Sequence, residues 1–286
     1  MFSALKFCAY ALLHTTLVCC FGCSSPQSAA KNPPEPITST EDSSKSSIEQ
    51  SLPTQETDAG PFDTADVDIS KVCKTRKLIA LTFDDAPSKT TEEIISAFLA
   101  YNVTHPDTPA SATLFCNGKN LYPSTIPSIE VALTAGFELG NHTQNHRDLT
   151  AVTAAELRYE IEETDRLLSR LDGKPIHLLR TPYGAMNEEI KQAARAPIIN
   201  WFVDTLDWTG ISAEAIYDTV WQGKGDGVIV LLHDGYPNTV TALRRLLPDL
   251  YNAGYQAVTV SQMAKAHHCA LKIGGVYTRA RDLSKR

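Results

Sequence analysis

The stretch Leu78-Ile79-Ala80-Leu81-Thr82-Phe83-Asp84-Asp85-Ala86-Pro87 joins an apolar run directly to a pair of carboxylates. An uninterrupted apolar run, rather than an alternating one, is typical of a parallel strand that is buried on both faces. Asp84 and Asp85 therefore follow the end of a buried strand. Capping a helix is the ordinary use of an Asp pair in that place, so the pair alone assigns no function.

Strand-like and helix-like segments alternate after Lys77, which predicts a parallel sheet covered by helices. The strands expected from the apolar runs cover 78–83, 111–116, 137–141, 176–180, 198–204, 228–233 and 255–260. Amphipathic segments lie between them, and Thr90 with Glu93 and Thr153 with Glu156 have the spacing of capping boxes. A series of βα units of this kind favours a closed or nearly closed barrel.

Polar side chains follow or end most of the predicted strands. Beyond the first Asp pair they are Asn117, His142, His146, Arg180, Asp204, Asp207 and His233. The carboxyl ends of parallel strands meet at one rim, where such folds collect their reactive groups. The sequence therefore predicts one functional rim assembled from distant parts of the chain.

His142 and His146 are four residues apart, so a single helical turn would bring both imidazoles to one metal ion. A lone His-x-x-x-His pair is more often incidental than metal-binding. Asp84 or Asp85 on the same rim would complete a set of two histidines and one carboxylate with positions left for water and substrate. The carboxylate that does not bind the ion would remain available as a base.

Five segments, in this order, resemble the motifs of carbohydrate esterase family 4, the NodB-type polysaccharide deacetylases. They are Thr82-Phe83-Asp84-Asp85, His142-Thr143-Gln144-Asn145-His146, Arg180-Thr181-Pro182-Tyr183, Asp204-Thr205-Leu206-Asp207-Trp208 and Leu231-Leu232-His233. The resemblance covers roughly residues 76–265. It implies an α/β fold, a distorted (β/α)7 barrel, and metal-dependent removal of N-acetyl or O-acetyl groups from a sugar polymer.

The same resemblance implies a metal site and a base. Asp85, His142 and His146 would bind one divalent ion, with zinc expected first and cobalt, nickel or manganese as alternatives. Asp84 would be the general base. Arg180 would keep Asp84 ionised and correctly aimed through a charge-assisted hydrogen bond.

The resemblance also implies an acid and a substrate pocket. His233 would be the general acid, oriented by Asp207, which raises its pKa. The backbone N–H of Tyr183 would stabilise the oxyanion. Trp208 and Leu231 would enclose the acetyl methyl group.

Several nearby residues have other interpretations. Ala86 stands where the family motif has Gly, and it would be strained if that position needed a positive φ. The connection from Tyr101 to Ala110 is longer than is common in the family. Asp234 is expected in a cap or turn, and the His267-His268 pair is expected to face solvent.

The N-terminus predicts export. Residues 1–22 have a positive start and a short apolar core, and Gly22-Cys23 resembles the cleavage site of bacterial lipoproteins, in which Cys23 would be lipidated. An ordinary secretory signal cut nearby is the alternative. Residues 23–72 are rich in Ser, Thr, Pro and acidic residues, which predicts a disordered linker. The deacetylase domain is expected at 73–270 and a C-terminal tail at 271–286.

Cysteine usage allows at most one internal disulfide. The chain has seven cysteines, of which only Cys73, Cys116 and Cys269 lie in the body of the protein. Cys73 and Cys269 flank the predicted domain and are the expected pair. Cys116 lies inside a predicted strand and is expected to pack as a small apolar side chain.

The net charge of the chain argues against nucleic acid as a binding partner. The 286 residues carry a formal net charge of -7, so no basic field is available for nucleic acid. The sequence predicts a monomeric N-deacetylase, anchored to the membrane and facing the periplasm or cell wall, with peptidoglycan N-acetylglucosamine as the first substrate. The alternatives are an O-acetyl esterase on an acetylated xylan-like polymer and a carbohydrate-binding lipoprotein without turnover.

Overall fold

A buried strand of 10 residues, β1 (Lys77–Ala86), lies in the middle of the sheet. The computed structural model describes residue 72 and residues 74–280. Within them the other strands are β2 (Thr113–Cys116), β3 (Glu138–Asn141), β4 (Ile198–Ile199), β5 (Val203–Asp204), β6 (Val228–His233), β7 (Tyr255–Ala257) and β8 (Val276–Tyr277). The α-helices are α1 (Thr91–Thr104), α2 (Ile126–Thr134), α3 (Ala154–Asp172), α4 (Glu188–Ala193), α5 (Ala213–Gly223), α6 (Pro237–Asn252) and α7 (Val260–Ala266). Four short 3₁₀ turns cover Gly118–Asn120, Leu149–Ala151, Pro182–Gly184 and Asp207–Thr209.

The strands close into an irregular ring. β1 pairs in parallel with β2 and β6, and the sheet runs in the order β3-β2-β1-β6-β5. β7 pairs with the first residues of β1, beyond the stretch that β2 contacts. Leu179 forms parallel bridges to Asn141 and Ile198, which connects β3 to β4 and so to β5. This arrangement is the distorted α/β barrel that the sequence predicts.

Alternation along β1 separates two parts of the core. Ile79, Leu81 and Phe83 pack in the larger cluster with residues of α1 and α6, whereas Leu78 and Ala80 pack in a second cluster with residues of other strands. Successive strand side chains point to opposite faces, so the second set faces the inside of the ring. All five side chains are fully buried, as the uninterrupted apolar run predicts.

The predicted strand 176–180 is wrong as a regular element. It reduces to the bridges of Leu179, which donates its N–H to the Pro197 carbonyl oxygen and accepts from the Ile199 N–H. The predicted strand 198–204 is divided into the short strands β4 and β5.

The domain extends past the predicted boundary at residue 270. β8 pairs in parallel with β4, and Leu271 and Ala280 are buried in the second core cluster. Residues 271–280 therefore belong to the packed domain rather than to a tail. The sequence signal is weak there, because β8 has two residues with no apolar run around them.

One of the two predicted capping boxes forms. The Thr153 hydroxyl accepts from the Glu156 N–H, and the Glu156 carboxylate accepts from the Thr153 N–H at 2.8 Å. At α1 the prediction is wrong, because the Thr90 hydroxyl donates instead to the buried carboxylate of Asp234 at 2.6 Å. Asp234 also accepts from the Ser88 N–H, so it holds the β1 to α1 turn as expected.

Several predictions fall on residues outside the described part of the chain. The signal peptide, the lipidation site Cys23, the linker up to residue 71 and Cys73 all lie there. The Cys73–Cys269 disulfide therefore stays a prediction, whereas Cys116 is buried as expected. Over residues 74–280, the helices are too short or too polar to cross a membrane.

Candidate active site

Strand alternation aims the polar residues of β1 and β6 at a common pocket. Thr82 and Asp84 continue the inward-facing set that begins with Leu78, and Leu231 and His233 do the same on β6. Asp84 and His233 are paired in register across the two strands. The sequence periodicity that buries the strands therefore also brings these two groups to one rim.

Asp84 is a buried carboxylate held by a buried guanidinium. Its Oδ1 accepts from Arg180 Nη1 at 2.7 Å, and only 3% of Asp84 is exposed. The same guanidinium donates to Thr82 Oγ1 and to the carbonyl oxygens of Ile199 and Asn200. All its donor nitrogens are thus engaged, which fixes its position.

The pKa of Asp84 is lowered by its charged neighbours. Burial by itself raises this pKa, but the charge of Arg180, followed by the charges of His142 and His233, outweighs burial. The side chain is therefore an ionised carboxylate at neutral pH, and it is also a hydrogen-bond acceptor aimed into the pocket.

Asp85, His142 and His146 converge on one point. One ligand atom from each lies within 4.8 Å of the other two. Asp85 Oδ1 lies 3.8 Å from His142 Nε2 and 3.5 Å from His146 Nε2. Such a group of two imidazoles and one carboxylate suits a divalent transition-metal ion, so the residues present fit a metal site.

His142 and His146 can each offer a ring nitrogen to a metal ion. His142 Nδ1 lies 2.8 Å from the carbonyl oxygen of Arg180, which can only accept, so Nδ1 carries the proton and Nε2 is left as a ligand. Burial and the adjacent His142 lower the pKa of His146. Both features favour the unprotonated nitrogen that metal binding requires.

Backbone conformation explains why Ala86 is tolerated. The left-handed residue at the end of β1 is Asp85, with φ 66°, and Ala86 is not among the residues with positive φ. The strain expected at Ala86 is therefore absent. The turn at Asp85 breaks the strand alternation and brings its carboxylate to the histidines instead of the helix layer.

His233 and Asp207 form a second hydrogen-bonded pair. His233 Nδ1 donates to Asp207 Oδ1 at 2.7 Å, and Asp207 also accepts from the His233 N–H, the Trp208 N–H and the Thr239 hydroxyl. Burial lowers the pKa of His233. The Asp207 hydrogen bond and the charge of Asp84 together raise this pKa by more than burial lowers it, so the net shift is upward. His233 is therefore a group that holds its proton at a higher pH than an ordinary histidine.

These groups line a single cavity of about 400 Å³. Its walls are Asp84, Asp85, His142, His146, Tyr183, Trp201, Asp204, Trp208, Leu231, His233 and Tyr236. Of the predicted site residues, Arg180 and Asp207 lie behind the wall, where they hold Asp84 and His233. The other predicted catalytic, metal-binding and substrate-binding residues line the cavity itself. Asn117, which was also predicted at the rim, is buried outside the cavity wall and donates from Nδ2 to the His142 carbonyl oxygen.

Trp201 and Tyr236 reach the cavity although the sequence analysis missed them, and Asp204 was assigned only to the rim. Tyr236 follows His233 by three residues, and its ring meets the His233 imidazole edge-on at 6.2 Å. Proximity to a motif was the one available signal. An aromatic residue near a strand end is otherwise indistinguishable from core.

His267 does not face solvent as predicted. Its side chain is 16% exposed, and Nε2 lies 3.0 Å from Asp226 Oδ1. His268 is exposed, as expected. Neither residue belongs to the cavity.

Comparison with known proteins decides the family. Residues 71–197 match the family model described as polysaccharide deacetylase. A peptidoglycan-N-acetylglucosamine deacetylase of Bacillus cereus is 33% identical over 215 residues, which are 72% of this chain and 70% of that protein. This chain belongs to the polysaccharide deacetylase family.

Other family members differ in the substrates that they are named for. The peptidoglycan-N-acetylmuramic acid deacetylase PdaC of Bacillus subtilis is 34% identical over 66% of this chain, but the match spans 39% of that longer protein. A family 4 acetyl xylan esterase from Clostridium thermocellum, solved in complex with a cobalt ion, has a TM-score of 0.65 and 25% identity over 71% of this chain and 98% of that one. Family membership therefore leaves the polymer open.

Proposed function

We propose that this protein is a divalent-metal-dependent deacetylase that hydrolyses N-acetyl groups of a cell-envelope polysaccharide. Peptidoglycan N-acetylglucosamine is the first candidate substrate. The observation that carries the proposal is the convergence of Asp84, His233 and the Asp85, His142 and His146 group on one cavity. A base, an acid and a metal site within one pocket are the parts that hydrolysis of an unreactive amide requires.

Asp85, His142 and His146 would hold the ion, with zinc proposed and cobalt, nickel or manganese as alternatives. When bound there, a divalent ion supplies a Lewis acid for the acetyl carbonyl and lowers the pKa of water. Asp84 does not need to be a ligand, because Arg180 already balances its charge.

Asp84 acts as the general base in this proposal. Its carboxylate is ionised, it lines the cavity, and Arg180 holds one of its oxygens at 2.7 Å. The other oxygen is available to accept the proton of the water that attacks the acetyl carbon. A fixed base avoids the entropic loss of orienting a mobile carboxylate during the reaction.

His233 acts as the general acid. An amine is a poor leaving group, so its nitrogen must be protonated as the C–N bond breaks. The hydrogen bond from Nδ1 to Asp207 orients the ring and favours the protonated form, which leaves the Nε2 proton to donate. Tyr183 would donate its backbone N–H to the oxyanion, while Trp208 and Leu231 would enclose the acetyl methyl group.

The proposed location completes the substrate assignment. A lipid anchor on Cys23 and a linker would keep a monomeric catalytic domain outside the cytoplasm, beside the periplasmic or cell-wall polymer. Both features are predicted from sequence. The names of the relatives from Bacillus cereus and Bacillus subtilis, which refer to peptidoglycan, support the same substrate class.

An O-acetyl esterase acting on an acetylated xylan-like polymer is the second candidate. The likeness to the Clostridium thermocellum acetyl xylan esterase favours it, and the same catalytic residues would serve an ester. A carbohydrate-binding lipoprotein without turnover is disfavoured, because both the base with its arginine and the acid with its aspartate are present.

Mass spectrometry of the products from a small panel of oligosaccharides tests the proposal. The panel contains N-acetylglucosamine oligomers, peptidoglycan fragments and O-acetylated xylo-oligosaccharides, each incubated with zinc-loaded protein and with a His142→Ala control. We expect acetyl loss from the N-acetylated sugars by the parent protein alone. Acetyl loss confined to the xylo-oligosaccharides would establish the esterase instead, and equal products from the control would contradict both.

A further inference from the structure

The loop that carries both proposed metal-binding histidines has an unfavourable backbone. Thr143 has φ 67° and His146 has φ 58°, although neither is a glycine. Residues with a Cβ adopt this region only where surrounding contacts hold them there. The geometry of His142 and His146 therefore depends on groups outside the loop.

A single residue of α3 supplies much of that support. Glu160 Oε2 accepts from the backbone N–H of Asn145 at 2.7 Å, and Glu160 Oε1 accepts from Asn145 Nδ2 at 3.0 Å. The carbonyl oxygen of Glu160 accepts from the Gln144 N–H at 2.9 Å. Glu160 thus binds the two residues that lie between the left-handed positions.

The burial of Glu160 is costly and calls for a reason. The residue is 1% exposed, and within residues 74–280 its carboxylate forms hydrogen bonds to Asn145 but no ion pair. A buried carboxyl group whose side-chain partners are neutral amides adds little to stability. The hydrogen bonds that its carboxylate accepts both come from Asn145 in the histidine loop.

The same helix also holds the start of the loop. Asn141 Nδ2 donates to the Ile161 carbonyl oxygen at 2.8 Å and to Asp165 Oδ1 at 3.0 Å. Asn141 Oδ1 in turn accepts from the Thr143 N–H at 2.9 Å. The α3 helix therefore fixes the loop on both sides of Thr143.

We propose that Glu160 is a positioning residue that sets the metal affinity of the site by holding Asn145, and through it the ring of His146. This inference rests on the metal site in the proposed function. In Glu160→Gln one carboxylate oxygen becomes an NH₂ group, which would face an N–H donor of Asn145. The backbone N–H and Nδ2 of Asn145 can then no longer both donate to residue 160, while the shape of the side chain is kept.

The test is zinc affinity of the metal-free protein, measured by competition with a chromophoric chelator, together with the visible absorption spectrum of the cobalt-substituted protein. Glu162→Gln is the matched control, since Glu162 is exposed on the same helix. We expect Glu160→Gln to weaken zinc binding by about 10- to 100-fold, as loss of a hydrogen bond that orients a ligand commonly does. The cobalt spectrum should change in Glu160→Gln and stay unchanged in Glu162→Gln.

Asn145→Ala gives an independent route to the same answer, since it removes the Nδ2 hydrogen bond and leaves the Glu160 carboxylate in place. We expect weaker zinc binding in this variant too, and the effects of the two changes should be less than additive in the double variant, because the two residues are hydrogen-bonded to each other. If Glu160→Gln does not fold, Asn145→Ala decides the question by the same measurement.

A purely structural role gives a different result. It would lower the thermal unfolding temperature of the metal-free protein and leave the zinc affinity of the folded protein within twofold of the parent, which would overturn the proposal. Failure of the parent protein itself to bind zinc or cobalt would instead count against the proposed metal site.

Discussion

Asp84 and His233 are register partners on the adjacent parallel strands β1 and β6. Neighbouring strands lie about 4.8 Å apart, so the two residues occupy the same level of the barrel rim. Each has a partner of opposite charge behind it, Arg180 for Asp84 and Asp207 for His233. The proposed base is thus a carboxylate held by a cation, and the proposed acid is an imidazole held by a carboxylate.

Removing the partner of Asp84 should change both stability and pH dependence. Arg180→Met leaves a buried carboxylate without its guanidinium, which should cost about 3–5 kcal/mol in the free energy of unfolding. Burial is then opposed only by the weaker effects of His142 and His233, so the pKa of Asp84 should rise and the acid limb of the pH–kcat/KM profile should move to higher pH. Urea unfolding and the pH profile of acetate release measure the two effects.

The control for this change is the surface ion pair of Arg166, which is exposed, with the partly exposed Glu163. Arg166→Met should alter the free energy of unfolding by less than about 1 kcal/mol, because exposed pairs contribute little. An acid limb that stays in place in Arg180→Met would show that Asp84 is not the group whose ionisation the activity requires.

Asp207→Asn should reduce the fraction of His233 that is protonated near neutral pH. The variant removes the negative charge that raises the pKa of His233, so that pKa should fall. Activity that needs protonated His233 is lost as the pH rises through this pKa, and the alkaline limb should therefore move to lower pH. We expect kcat to fall by about 10²- to 10⁴-fold near neutral pH. Asp218→Asn, on the exposed side of α5, should leave the pH profile unchanged.

The surroundings of His177, away from the cavity, should make part of the free energy of unfolding depend on pH. It is buried between Asp165, at 3.0 Å from Nδ1, and Asp172, at 3.1 Å from Nε2. Burial lowers the pKa of His177. The hydrogen bonds to the two carboxylates raise this pKa by more than burial lowers it, so the net shift is upward. Lys174, 4.0 Å from the Asp172 carboxylate, is the other charged group at this cluster.

The sign follows from the raised pKa. The stabilisation is fully present below about pH 6.5, the unfolded value, and is lost as the pH rises through the folded-state pKa. The unfolding free energy of His177→Gln should therefore decline less than that of the parent between about pH 6 and pH 9. Urea unfolding across this range, with exposed His268→Gln as the control, measures the difference. Parallel curves for the parent and His177→Gln would contradict the assignment.

Thr153 and Thr90 should differ in how much each contributes to the free energy of unfolding. Thr153→Ala removes the N-cap of α3 and should cost about 1 kcal/mol of unfolding free energy. Thr90→Ala should cost more, because it removes a buried hydrogen bond to the Asp234 carboxylate. Urea unfolding of the two variants compares them, and a smaller loss for Thr90→Ala would be inconsistent with these contacts.

The central strands and the rim residues at their carboxyl ends could be predicted from the sequence. The uninterrupted apolar run of β1 and the run of β6 identify buried parallel strands, and chain order places Asp84 and His233 at their carboxyl ends. Period-two alternation then directs both residues inward. This local rule explains why groups far apart in sequence could be predicted to meet.

The remaining features depend on contacts that local patterns do not encode. The buried Asp234 takes the Thr90 hydroxyl away from its cap, and the left-handed turn at Asp85 is visible only in three dimensions. Glu160 looks like any charged residue of an amphipathic helix, yet it is buried against the histidine loop. Such residues are recognisable only once the loop and the helix are seen together.

Acetate release from N-acetylglucosamine oligomers, measured per zinc-loaded chain, tests the central claim most directly. Asp84→Asn keeps Asp85, His142 and His146, so it should still bind zinc while acetate release falls by about 10²- to 10⁴-fold. Release by the parent should also disappear when the metal is removed and return when zinc is restored. Acetate release at the parental rate by zinc-loaded Asp84→Asn, or by the metal-free parent, would contradict the account.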